Sequence, residues 1–378
     1  MAALAPIAYL CTSVFLSAVA VKAPQKDNLR LIGLSISLAL LAFRRVTEIT
    51  SWAEMSSLLG FFVLLWLSQI VKLLALDKPM PPLDWRMTYR TLFDFRGIGA
   101  EKQQVEISHD NPDMNVTVSS RKQESRITTS SSKCSQYRIF LLKRLTSAVI
   151  ILLLNRCYSI TYSLLLHLSY ADFHSSKQSY LRSLRIVTAR ETTIRGWLVF
   201  HFVWSSWATF TAAHDLLAFA HVAVGIDEPE DWPQLYGSVL EAYSIRRFWG
   251  KFWHRLVQRN YGAYGSLLSQ KVLRLPPGSI ADRLCVNLSV FLISGIVHAF
   301  ITVQLGFKCG YWEDLAFFVM NYAALLAEEA VQRAASRVFG GAWQSGWICR
   351  LLGYTWVFGF LFWVLPKHQY PKVLCDPA

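Results

Sequence analysis

Two stretches of this chain carry residue types and spacings suited to chemistry. One is an apolar run with a single histidine, Ser294-Gly295-Ile296-Val297-His298. An ionisable side chain at membrane depth is costly to keep there, so His298 is a functional candidate by default. The other, Tyr243 to Arg255, reads YSIRRFWGKFWHR and combines five aromatics, four basic residues and His254. Its cations suit the phosphates of a nucleotide-bearing cosubstrate.

Residues three and four apart share a helix face. A helix from Ser244 to Asn260 would align Arg247, Lys251, His254 and Gln258 as a polar stripe. It would set Phe248, Trp249, Phe252, Trp253 and Leu256 opposite. That pattern predicts a basic amphipathic helix at a membrane interface. On the span from Leu284 to Leu305, Asn287, Ser294, His298 and Thr302 fall on one face, which must point into the protein or a cavity. Gly295 permits close approach of a neighbour. Plainer readings stay open at this point: His254 solvated on an interfacial helix, and His298 hydrogen-bonded across helices.

The elements that position these residues follow from composition. The chain has 378 residues, 53% hydrophobic and 17% charged, with mean hydropathy +0.30. Soluble domains carry about 25% charged residues, so this is an integral membrane protein. The expected fold is all-α, one polytopic domain over 1–378. Apolar runs long enough to span a bilayer are placed at about 5–21, 30–44, 53–76, 145–169, 197–224, 284–306, 312–336 and 346–366. The fourth is one long helix or two pieces. Net charge is +13. Basic residues flanking spans and meeting lipid headgroups account for it, without nucleic acid.

Residues 77–138 form a polar insert, with Pro79, Pro81 and Pro82 at its start and a Ser/Thr-rich run from Ser108 to Ser132 that lacks apolar residues for a core. Lys22, Lys26 and Arg30 follow the first span, which sets the N-terminus outside and, by counting, 77–138 and 225–283 in the cytosol. Arg246, Arg247, Lys251, Arg255, Arg259, Lys271, Arg274 and Arg283 agree, whereas Arg182, Arg185, Arg190 and Arg195 conflict.

The remaining polar residues read as structural. The seven cysteines form no C-x-x-C pair and suggest no disulfide framework or zinc knuckle. His214 and His221, with Asp215, are spaced poorly for a metal, and none is expected. Glu329 and Arg333 make an i,i+4 ion pair, and Glu328 beside them is a structural group or lines an acceptor cavity.

Phe248-Trp249-x-x-x-Trp253-His254 with the later His298 resembles the wax synthase-like branch of the membrane-bound O-acyltransferases. Asp231-Trp232-Pro233-x-Leu235-Tyr236-Gly237-Ser238 and Ser244-Ile245-Arg246-Arg247 extend the likeness upstream, so that 231–302 is the segment it covers. Ile245 stands where leucine is commoner in that branch. In sterol and diacylglycerol acyltransferases an F-Y-x-D-W-W-N element occupies the place of Phe248 to His254, with asparagine at the position of His254 and aspartate at that of Lys251.

The resemblance implies acyl transfer from acyl-coenzyme A, with no resident cofactor, to an alcohol. A hydroxyl needs a base at neutral pH. His298 is then the base, since apolar surroundings favour the uncharged imidazole. His254 positions the thioester or donates to the oxyanion. Arg247 and Lys251 hold coenzyme A phosphates, Trp249 and Trp253 wall the tunnel, and Asn287, Ser294 and Thr302 line the substrate side. The Arg-Phe-Trp-Gly-x-Phe-Trp-His form looks closest to fungal acetyltransferases of terpenoid and meroterpenoid pathways. It implies an acetyl donor and an apolar natural-product alcohol, and the endoplasmic reticulum is the default location for a multi-pass enzyme of this kind.

A long-chain wax synthase would share the site. Three alternatives differ in class: a transporter or channel, an intramembrane prenyltransferase and a non-catalytic membrane scaffold. A transporter would show inverted repeats and matched broken helices, neither of which is visible. A prenyltransferase would need Asp-rich magnesium motifs, and the stretch Asp227 to Asp231 is single and interrupted by Pro229.

Overall fold

The computed structural model describes residues 4–22, 25–50, 53–75, 85–96, 130–180, 186–339 and 346–375. Among them every regular element is helical. In chain order these are α1 (Leu4–Lys22), α2 (Gln25–Arg44), α3 (Ala53–Ala75), α4 (Trp85–Phe93), α5 (Ser130–Leu166) and α6 (Ala189–Ala223). Then come α7 (Ile245–Arg247), α8 (Gln258–Ser266), α9 (Ile280–Gln304), α10 (Tyr311–Phe339) and α11 (Trp347–Val373). Most of the 77–138 insert lies outside the described residues.

Among the described residues five stretches are long and apolar enough to cross a bilayer: Leu4–Val21, Glu54–Leu73, Ser135–Leu166, Ile280–Gln304 and Trp347–Val373. The other three expected spans coincide with α2, α6 and α10, which are helices without that apolar quality. The fourth expected span is one helix of 37 residues. It exposes Leu153, Leu164 and Leu165, side chains suited to lipid rather than water.

The chain divides into two compact units. The first holds Met1–Arg96, Leu168–His201 and Gly237–Ala378, and the second Gly97–His167 and Phe202–Tyr236. In the first, Ala39, Val63, Trp66, Ile70 and Leu92 form a core over which α1, α2, α3 and α4 pack. Ser13, Ser17 and Ser35 join α1 to α2 through buried hydroxyl contacts of 2.6–3.0 Å. Gly295 lets α9 meet α10 closely: a Cβ there would lie 3.0 Å from Leu315 Cα.

Also in the first unit, Arg195 is fully buried, with Glu191 at 3.4 Å and the Tyr180 ring beneath its guanidinium. Arg190 pairs with Asp172 at 2.7 Å, and that guanidinium holds the Asp172 carboxyl far below the usual carboxylate range. These two arginines therefore answer to internal partners, which weakens their vote on topology.

In the second unit Ile151, Ala208 and Ala212 pack with Trp204 and Trp207. Arg144 pairs with Asp215 at 2.6 Å. His221 meets Asp227 at 3.1 Å, and the Trp232 ring lies against both His214 and His221.

The single amphipathic helix expected over 244–260 does not form. Ser244 caps α7, its hydroxyl accepting the Arg247 N–H. The chain then widens into a π-helix, Phe248–Phe252, and breaks at Trp253, which is extended (φ −64°, ψ 155°). Helix resumes only at α8. At the break the Phe252 carbonyl accepts the Gly237 N–H instead of a helical partner, and Ile245, Phe248, Phe252, Trp253 and Leu256 are all buried, so the segment packs into the unit rather than along a lipid interface.

The cysteines also depart from expectation. Cys309, between α9 and α10, forms a disulfide with Cys375 after α11. Their separation of 66 residues gives no motif, so only the packing of three helices reveals the pair.

Candidate active site

The π-helix is anchored from both ends. Gly237 donates its N–H to the Phe252 carbonyl at 2.9 Å. A Cβ on Gly237 would lie 2.1 Å from the Lys251 carbonyl oxygen, so only glycine allows that approach. At the other end Glu328 of α10 is buried and accepts the Ile245 N–H at 2.7 Å and the Arg246 N–H at 3.5 Å. The same carboxylate accepts Trp356 Nε1 from α11 at 3.0 Å. A carboxylate at a helix N-terminus satisfies N–H groups with no intrahelical partner. Sequence reasoning left Glu328 without a definite task. Glu329 pairs with Arg333 at 2.6 Å.

The anchored segment delivers His254 to His298. Phe61 of α3 touches both rings, with centroids 6.1 Å from His254 and 6.4 Å from His298. Phe318 of α10 stacks on His298 at 5.1 Å and 28°. Trp249, Trp253, Phe291 and Phe317 continue the aromatic wall. Trp249 Nε1 donates to buried Asn321 at 2.9 Å.

His298 is exposed on its remaining side, and no described residue hydrogen-bonds its ring. A histidine serving as interhelical glue would show such a bond. His254 is partly buried. Burial pushes its imidazole down to about 3, and the neighbouring His298 adds to the shift. The ring is therefore neutral at physiological pH, with one N–H to donate.

The other expected site residues are distributed unevenly. Lys251 is exposed. Arg247 pairs with Glu241, its guanidinium 4.5 Å from the Tyr243 ring centroid. Asn287 is exposed, whereas Ser294 bonds back to the Val290 carbonyl at 2.8 Å. Thr302 is buried and donates to Asp314 at 2.6 Å. Asp314 went unnoticed in the sequence because an acidic residue in a helix's first turn looks like ordinary complementarity to the helix dipole.

Residues 232–320, which hold both histidines, match the model described as the membrane bound O-acyl transferase family. Over these residues the chain is similar to the membrane-bound O-acyltransferases. Among curated proteins it is similar to acetyltransferase ataH of Aspergillus terreus, 35% identical over 195 residues, which are 51% of this chain and 62% of that one. Acetyltransferase aurG of Calcarisporium arbuscula is 28% identical, covering 54% and 50%. Acetyltransferase TRI7 of Fusarium sporotrichioides is 32% identical, covering 43% and 39%. The aligned regions thus span less than two thirds of these acyltransferase relatives. No solved structure matches.

Proposed function

We propose that this protein is an acyl-coenzyme A-dependent O-acetyltransferase acting on a hydroxyl of an apolar natural product, such as a terpenoid or meroterpenoid. The observation that carries the reading is the open, unbonded side of the His298 ring beside the neutral His254 ring, with Phe61 against both. The three relatives, all named acetyltransferases, support the choice of donor.

In this reading His298 accepts the acceptor's hydroxyl proton as its oxygen attacks the thioester carbonyl carbon. His254 donates a hydrogen bond to the developing oxyanion. The tetrahedral intermediate collapses, the carbon–sulfur bond breaks, and the imidazolium returns the proton to the departing sulfur. The products are an ester and free coenzyme A, with no acyl-enzyme and no resident cofactor. Trp249 and Trp253 wall the donor path, and Asn287 and Ser294 border the acceptor side. Lys251 meets the coenzyme A phosphates, and Arg247 joins it by exchanging its partner Glu241.

The proposed topology is a bundle of about eight spans in the endoplasmic reticulum, with the N-terminus outside. Residues 77–138 form a cytosolic insert and 231–302 the catalytic segment. This count puts Cys309 and Cys375 on the oxidising side, where disulfides persist.

The test uses microsomes carrying the full chain, fed labelled acetyl-coenzyme A or palmitoyl-coenzyme A with a panel of hydroxylated terpenoids. The reading expects labelled acetate esters and little palmitate ester. Palmitate esters in excess would make it a long-chain acyltransferase, and no ester from either donor would reject acyl transfer.

A further inference from the structure

Below His298 lies a buried charged cluster that the proposed chemistry does not use. Asp314 is fully buried at the start of α10. It accepts Thr302 Oγ1 from α9 at 2.6 Å, contacts His368 Nε2 from α11 at 2.8 Å, and takes a close ion pair with Lys372 of α11. A buried carboxylate is tolerated when paired and hydrogen-bonded in this way.

The cluster is tied to His298 by helix geometry. His298 and Thr302 are four apart on α9, and Asp314 and Phe318 are four apart on α10, so each pair shares a face. The Thr302–Asp314 bond closes one end of this four-residue frame, and the His298–Phe318 stack closes the other. Gly295 brings the helices close enough for both contacts. Beside the frame, Phe317 stacks on His368 at 4.6 Å. Sliding α10 along α9 would break the charged bond and the ring stack together.

We propose that Asp314 is a positioning residue for the acyl-transfer site: through Thr302 it fixes the register of α10 against α9, and so holds the Phe318 ring on His298 and the imidazole's open side toward the substrates. The inference rests on the function proposed above. A near-attack geometry lost by about 1 Å costs on the order of 100-fold in rate, so the frame acts on turnover rather than on donor affinity.

The test compares T302V, T302S and D314N with wild type and H298A, each purified full length in detergent and normalised to monodisperse protein. The expected result is a kcat at least 10-fold lower in T302V and D314N, with KM for acetyl-coenzyme A within about 3-fold of wild type. T302S, which keeps the hydroxyl, restores most of the kcat lost in T302V. Wild-type kcat per folded molecule in both T302V and D314N would overturn the inference, as would a T302S as slow as T302V. If D314N does not fold, the T302V and T302S pair decides alone. An inactive wild type or a fully active H298A would instead reject the function on which the inference rests.

Discussion

Glu328 accepts the backbone N–H of Ile245 at 2.7 Å across 83 residues of chain. The contact ties α10 to the start of the aromatic segment that ends in His254. Removing the carboxylate leaves buried N–H groups unsatisfied, at about 1–3 kcal/mol for each. E328A should therefore lower the melting temperature in detergent and reduce acetyl transfer. E328Q, which keeps an acceptor oxygen, should retain more of both. An E328A protein with unchanged stability would contradict the anchoring role.

His254 offers a second handle. As an oxyanion donor its loss should reduce kcat by about 10²–10³-fold in H254A. H254N supplies an amide N–H and should recover part of that. The stability of the two forms should also separate with pH. The folded-state value of about 3 lies below the ordinary 6.5. Between those values the unfolded chain binds a proton that the folded chain does not. Wild type should therefore lose stability relative to H254N as pH falls from 6.5 toward 3. Parallel melting curves for the two proteins across that range would show that His254 is not held neutral by burial.

Some of the site was legible in the sequence and some was hidden by distance along the chain. His298 stood out because one ionisable residue interrupts an apolar run, and His254 because it ends a block of aromatics. The break at Trp253 did not show, since the residues keep a helical period through it. The caps and clusters that fix these groups join distant segments: Glu328 to Ile245, Asp314 to His368, Cys309 to Cys375. None has a local signature, because each pairing is made by helix packing rather than by spacing.

The disulfide gives a third prediction, concerning topology. Maleimide–polyethylene glycol labelling of denatured protein should add two reactive thiols after reduction, and C309S/C375S should show no such gain. Closing a loop of 66 residues contributes at most about 4 kcal/mol, so the double variant should also melt earlier. An equal thiol count before and after reduction would place these residues in a reducing compartment and reverse the proposed orientation.

The central claim is that the His298 imidazole takes the proton of the acceptor alcohol. The direct measurement is kcat of purified H298A at saturating acetyl-coenzyme A and acceptor, with donor binding measured on the same preparation. General-base loss should lower kcat by about 10²–10⁴-fold while donor affinity stays close to wild type. Acetyl transfer by H298A at the wild-type rate would contradict the account.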